Sequence, residues 1–234
     1  MDPSNKYTVM QRHQYESDAT NWNLHNLDPV VGSFMGHNSW SDYDFLFKDI
    51  DDLNNKKVLD FGCGPGRNLV KYNDIFKNID GVDISVKNLE NARMWLQYNN
   101  KNADNTNLFL CNGVDLNIIQ NEQYDIVMST ICMQHICVYD IRLNYFKEFF
   151  RILKTGGYIT IQMGYGKDSP LTVDYYSNHY DAKSTNRGCD VCISDYKQIE
   201  KDLLSIGFKN FKYYIRPVGP GDIHPNWIFF SAQK

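Results

Sequence analysis

From Lys57 onward, short runs rich in β-branched and aromatic residues alternate with longer stretches whose apolar positions recur every three or four residues. The runs predict strands at "KVLDF", "IDGVD", "NLFLC", "DIVMST", "YITIQM", "FKYYIR" and "WIFFSA". Between them, Ser85 caps an expected helix through "VKNLENARMWLQY". A second, "IRLNYFKEFFRILK", sets Phe146, Phe149, Phe150 and Leu153 on one stripe, with Gly156 and Gly157 as its stop. A third, "DYKQIEKDLLSIG", turns Ile199, Leu203 and Ile206 inward and ends at Gly207. Strand–helix–strand alternation implies parallel strands joined by right-handed crossovers. The last two strands are joined by "PVGPGDIHPN", too short for a crossover helix, so they pair antiparallel. The expected fold is α/β: a doubly wound, seven-stranded, mostly parallel sheet with an antiparallel last strand.

Before Lys57 the pattern changes to few aliphatics and several large aromatics (Tyr7, Tyr15, Trp22, Phe34), which reads as an N-terminal helical cap, with a capped helix in "SWSDYDFLFKDI" ahead of the first strand. With 234 residues, 42% of them hydrophobic and 22% charged, one domain is expected. Its parts are a cap or lid over 1–55, a ligand-binding core over 56–163, an insertion over 164–194 and a C-terminal helix and hairpin over 195–234. A net charge of −4 gives no general attraction to polyanions, so nucleic acid is not an expected partner. Without a charged-then-apolar leader or a long apolar run, a cytoplasmic protein with no membrane partner and with its six cysteines reduced is expected. Cys189 and Cys192 form a C-x-x-C and Cys132, His135 and Cys137 lie close together, but no second half-site accompanies them, so no metal is expected.

Chemistry concentrates first in "VLDFGCGPGRN". The order strand, glycine turn, helix gives its glycines meaning, yet Gly62, Gly64 and Gly66 space as G-x-G-x-G rather than the G-x-G-x-x-G of a dinucleotide site. Asp60 sits two residues ahead, where a phosphate would meet negative charge and a cation would be welcome. Asp83, ending the second strand, can accept from both hydroxyls of a ribose. These features together suit a nucleoside with a positively charged tail.

At this point the chain resembles the class I S-adenosylmethionine-dependent methyltransferases, in particular those acting on small molecules. "VLDFGCGPG" looks like their glycine-rich first motif and "GVDIS" like their acidic second motif; "LCNGVDL", "YDIVMSTICMQHI" and "LKTGGYITI" follow in the family's order. The resemblance implies transfer of a methyl group from S-adenosylmethionine, leaving S-adenosylhomocysteine, with oxygen or nitrogen the expected target. It puts Asp60, Gly62, Cys63, Gly64, Gly66 and Asn68 around the methionine part, Asp83 on the ribose, and Ile84, Asn112 and Gly113 at the adenine. Ser129 and Thr130 would lie below the methyl group. The family often has an acidic residue followed by alanine where this chain has Asn112 and Gly113.

Ligands of open α/β sheets bind beyond the C-terminal strand ends, so the acceptor is expected among "CMQHICVYD", the long connection from Gly164 to Ser194, and "PVGPGDIHPN". The long connection carries Tyr165, Tyr175, Tyr176 and His179 and reads as a lid or short helix shaping the pocket. His135 is the first candidate for a general base and His224, with Asp222 to orient it, the second; each has a structural alternative, as a helix cap or a turn residue. Tyr15 and Trp22 either close over a sulfonium or only pack the N-terminal segment. Other readings are a binding protein that keeps the cofactor cleft without catalysis, and a methyltransferase acting on protein or RNA.

Overall fold

The computed structural model describes residues 5–24, 45–166, 172–181, 190–219 and 223–234. Strands β1 (Lys57–Phe61), β2 (Asn78–Asp83), β3 (Leu108–Leu110), β4 (Tyr124–Thr130), β5 (Leu153–Tyr165), β8 (Lys209–Pro217) and β9 (Asn226–Gln233) form one sheet, ordered β3-β2-β1-β4-β5-β9-β8. The first five are mutually parallel, and β9 runs antiparallel to both neighbours, β5 and β8. The remaining strands, β6 (Thr172–Asp174) and β7 (Asp190–Cys192), make a separate parallel pair. Helices are α1 (Lys6–Asp18), α2 (Arg67–Tyr72), α3 (Val86–Tyr98), α4 (Tyr139–Ile152) and α5 (Tyr196–Ile206). Strand order reverses between β1 and β4, which opens a crevice beyond their C-terminal ends.

Both faces of the sheet are covered, so the central strands read as continuous apolar runs. Successive residues go to opposite cores: Leu59, Val127 and Phe230 join Phe146, Phe149, Ile199 and Leu203 on one face, while Val58, Ile126 and Phe229 join Leu69, Ala92 and Trp95 on the other. Burying each such side chain stabilises the fold by about 1.5–3 kcal/mol.

Local chemistry sets the helix ends. Ser85 accepts from the Asn88 N–H at the start of α3, and Asp195 forms a capping box with Gln198 at the start of α5, which Gly207 ends in the left-handed region. α4 differs from expectation: it stops at Ile152, and Leu153 already pairs with Tyr124 in the sheet. The register then shifts, and Gly156 and Gly157 lie within β5 rather than ending the helix. Gly157 backs onto the Asp125 carbonyl, where a Cβ would approach to 2.9 Å. In the 164–194 connection the described residues include the end of β5 and strands β6 and β7; residues 167–171 and 182–189 lie outside the described ones. Phe34, Cys189, Asp222 and the start of "SWSDYDFLFKDI" lie outside the described residues; Phe45 to Phe47 form a 3-10 turn. Among the described residues no helix is long and apolar enough to cross a membrane.

Candidate functional site

A cavity of about 280 Å³ opens where the strand order reverses, between the loop after β1, the end of β2, the turn after β4 and the inner side of α1. The loop is pinned from below, because the Gly62 and Cys63 N–H groups both donate to the Val82 carbonyl, at 2.8 and 3.1 Å. Its glycines have separate reasons. A Cβ on Gly66 would lie 2.9 Å from the Ala92 backbone, so that glycine lets α3 pack closely; Gly64, at φ +51°, has nothing within 4 Å in the Cβ direction and leaves bare backbone facing the cavity.

Asp83 lines the same cavity and ties its two walls. One carboxylate oxygen accepts from Gly64 N–H at 2.9 Å, and the other from Ser85 N–H at 2.9 Å and Asn88 Nδ2 at 3.2 Å. A carboxylate offers about four acceptor directions, so about one remains for a ligand. Burial raises its pKa, against the opposing effect of those hydrogen bonds.

Behind the loop, Asp60 is buried with a single weak partner, Asn68 Nδ2 at 3.4 Å; its Oδ2 and the Oδ1 of Asn68 have no hydrogen-bond partner. Burial pushes the Asp60 carboxyl up to about 7, although Asn68 and Arg67 pull the other way. Native interiors seldom leave a buried carboxylate oxygen without a partner; Asp60 itself is not among the described residues lining the cavity, which it meets through Asn68. The adjoining Asn68 Nδ2 donates to Thr130 Oγ1 at 2.9 Å, linking this carboxylate to the end of β4.

The N-terminal segment forms the opposite wall, with Tyr15 and Trp22 both lining the cavity. Its anchoring is polar. Glu16 accepts from the Val86 N–H at 2.6 Å, at the positive end of α3. Asn91 donates to the Ala19 carbonyl at 2.8 Å, and Trp95 Nε1 to the Trp22 carbonyl at 3.0 Å. Tyr7, buried and pushed up in pKa first by that burial, donates its hydroxyl to the His135 carbonyl at 3.0 Å and accepts from the Cys137 N–H at 2.8 Å.

His135 lines the cavity from the turn after β4, with its side chain 24% exposed. Its Nδ1 lies 2.6 Å from Asp190 Oδ1. His224 meets the other oxygen of the same carboxylate through Nε2 at 3.0 Å, but its side chain is only 2% exposed. Burial lowers the His135 pKa, yet the charge and hydrogen bond of Asp190 and the Ile131 carbonyl outweigh it, and the net direction is upward. Ile131 itself holds φ +52°, a strained conformation for a β-branched residue, and hands its N–H to Gln162 Oε1 at 2.8 Å. Among the described residues no set of three or more side chains has the arrangement of a metal site.

Other residues singled out in the sequence fall in different places. Gly62, Cys63, Gly64, Asn68, Ile84 and Gly113 line the cavity. Asn112 closes a turn, accepting from Val114 and Asp115 N–H groups at 2.9 Å, and Ser129 donates to the Phe61 carbonyl at 3.0 Å. Tyr175 is buried with its hydroxyl donated to Asp202 at 2.8 Å, and Tyr176 packs its ring on Tyr139. Neither of these tyrosines, nor Tyr165 or the exposed His179, is among the described residues lining the cavity. Tyr7, Gln11, Asp18, Cys132 and Tyr145 do line it, and Asp190 stands behind it. Aromatic content marked Tyr7; for Asp190 the sequence around "DVC" carries no signal.

Comparisons agree with this architecture. Residues 58–157 match a protein family described as a methyltransferase domain. A ubiquinone biosynthesis O-methyltransferase of Pelagibacter ubique is 25% identical over 138 residues, covering 59% of this chain and 54% of the relative. A second, from Rhodopseudomonas palustris, is 26% identical over 116 residues, covering 48% and 43%. The chain thus spans about half the length of the curated relatives it matches. Among solved structures, the cyclase SpnF superposes with TM-score 0.70 at 12% identity over 98% of this chain and 97% of its own. The phosphoethanolamine N-methyltransferase 2 of Haemonchus contortus, solved with S-adenosyl-L-methionine, gives TM-score 0.66 at 18% identity over 98% of this chain and 60% of its own. With this strand order and these superpositions, the chain has the class I S-adenosylmethionine-dependent methyltransferase fold.

Proposed function

We propose that the chain transfers a methyl group from S-adenosylmethionine to a small-molecule acceptor, at oxygen or nitrogen. The carrying observation is the open backbone of Gly64 in the cavity wall, together with the buried Asp60 carboxylate, whose Oδ2 has no hydrogen-bond partner and whose other oxygen meets the cavity-lining Asn68. The donor would supply a methyl carbon bound to positively charged sulfur. Asp60 would answer the positive charge of its methionine end, with Gly62, Cys63, Gly64 and Asn68 around it, while Gly66 holds α3 close to the loop. Asp83 would accept from a ribose hydroxyl while keeping its grip on Gly64, and Ile84 and Gly113 would lie against the adenine. Tyr15 and Trp22 would cover the donor and exclude water.

The rest is alignment. Methyl transfer is an in-line displacement, in which holding the nucleophile close and aligned contributes most. A hydroxyl acceptor also needs to lose a proton, and His135 would take it. The relatives' O-methyl chemistry is consistent with that requirement. A cytoplasmic setting and one domain divided as the sequence suggests belong to the same proposal. Because the fold also houses a cyclase, binding and turnover need separate tests.

The test is thermal stability with S-adenosylmethionine, S-adenosylhomocysteine and NAD in turn, then release of S-adenosylhomocysteine with phenols and with phosphoethanolamine as acceptors. At 100 times its dissociation constant a bound ligand adds about 2.7 kcal/mol. The first two compounds should stabilise the protein and NAD should not. Stabilisation by NAD, or by none of the three, would remove the proposal; binding without turnover on any acceptor would favour a non-catalytic binding protein.

A further inference from the structure

We infer that Asp190 is the positioning residue of the acceptor side of the cleft, holding the His135 ring by Nδ1 so that its other nitrogen serves the acceptor, while His224 braces the same carboxylate from behind. The inference rests on the methyltransferase reading above and deepens it.

Asp190 opens β7, whose next residues, Val191 and Cys192, are buried and apolar. Packing of that strand gives no reason for a charge. The carboxylate is itself only 2% exposed and both its oxygens are engaged: Oδ1 with His135 Nδ1 at 2.6 Å, and Oδ2 with Gln134 Nε2 at 3.1 Å and His224 Nε2 at 3.0 Å. A buried charge held by three side chains from two other segments is well defined in position. Gln134 reinforces it from the far end, accepting the Gly164 N–H at 2.9 Å. The His224 ring lies against Gly164, where a Cβ would come within 2.2 Å of it, so that imidazole has no room to swing.

The two histidines therefore have different work. Only His135 reaches the cavity; His224 is sealed and donates rigidity. With a carboxylate at Nδ1, the neutral His135 ring keeps its proton there and presents a lone pair at Nε2, the tautomer a general base requires. As the acceptor oxygen forms its bond to the methyl carbon, the carbon–sulfur bonding pair returns to sulfur and the acceptor proton moves to Nε2. Charge is conserved: the positive charge leaves sulfur and appears on the imidazolium, beside Asp190. The proton then passes to solvent. Burial alone would raise the Asp190 carboxyl, but the two histidines bring it below the usual carboxylate range, so it is ionised when that charge arrives. Titratable groups around His135 are Asp190 with His224 beyond it, the Tyr7 hydroxyl on its main-chain carbonyl, and the Cys132 and Cys137 thiols in the same turn.

The experiment pairs nitrogen-15 NMR of the histidine rings in the ligand-free full chain with pH–rate profiles of the wild type, Asp190→Asn and His224→Gln, using whichever phenol or phosphoethanolamine is turned over. In the wild type the neutral His135 ring should carry its proton on Nδ1. Asp190→Asn should lower kcat about 100-fold or more, with S-adenosylhomocysteine affinity unchanged. It should also move both the His135 titration and the limb of kcat against pH to lower pH, because the carboxylate that favours the imidazolium is gone. His224→Gln should give a smaller loss in the same direction. A neutral His135 protonated on Nε2 in the wild type overturns the inference even if Asp190→Asn does not fold. So does an Asp190→Asn protein with unchanged kcat and unchanged pH limb. A wild type that binds no S-adenosylhomocysteine and turns over no acceptor removes the methyltransferase reading itself, and with it the inference.

Discussion

Replacing Asp60 with Asn should make the ligand-free protein more stable while weakening its hold on the cofactor. Asp60 is 1% exposed, its Oδ2 has no partner, and its pKa rises from 3.8 to about 7 because burial penalises the charge. That interval corresponds to about 4 kcal/mol, at 1.36 kcal/mol per pH unit. The sign follows from proton binding. Between pH 4 and 7 the folded chain holds the Asp60 proton and the unfolded chain does not, so wild-type stability falls as pH rises through this window and levels off above about 7. Asn carries no charge and escapes the loss. Urea unfolding at a series of pH values should show Asp60→Asn more stable than wild type by about 2–4 kcal/mol at pH 8, with the difference shrinking toward pH 4. Calorimetric titration with S-adenosylmethionine should show the opposite ranking, with affinity down about 10- to 150-fold for a lost charge-assisted contact. Wild-type affinity should also weaken as pH falls through about 7, as Asp60 takes up a proton. A variant no more stable than wild type at pH 8, or a stability difference independent of pH, would refute the reasoning.

Three further substitutions probe other parts of the cavity. Asp83→Ala should lower cofactor affinity at least about 10-fold, since a charged acceptor is worth about 1.5–3 kcal/mol, and should lower stability in urea because Gly64, Ser85 and Asn88 lose their common partner. Gly64→Val should abolish binding by filling the open space, with about 1–3 kcal/mol of backbone strain from φ +51° visible as a lower unfolding midpoint. Tyr7→Phe should cost about 1–3 kcal/mol by stranding the Cys137 N–H. It should also reduce turnover by loosening the His135 turn, measured as kcat with cofactor affinity retained.

Much of the fold was legible because period-two and helical spacings point to the same layers. Val58 and Leu59, or Phe229 and Phe230, are adjacent apolar residues that only a sheet covered on both faces can bury. Ser85 announced its helix by side-chain chemistry that needs no tertiary context. The end of α4 did not, because Leu153 is drawn into the sheet by pairing with Tyr124, a partner distant in sequence, and this overrides the glycine stop. In the site, the glycine loop and Asp83 belong to two successive strand–turn–helix units, each local in sequence, and could be read directly. Asp190 could not: its meaning comes from His135 and His224, which the topology brings to it from two other segments. The tyrosines of the long connection were conspicuous by type, yet Tyr175 serves Asp202 and the packing around Arg142 rather than the cavity.

The most direct test is a crystal structure of the protein with S-adenosylhomocysteine. The ligand should lie in the cavity beyond β1 and β2, with its ribose on Asp83, its amino group near Asp60 and its sulfur turned toward His135. An empty cavity at saturating ligand, or the sulfur directed away from His135, would contradict it.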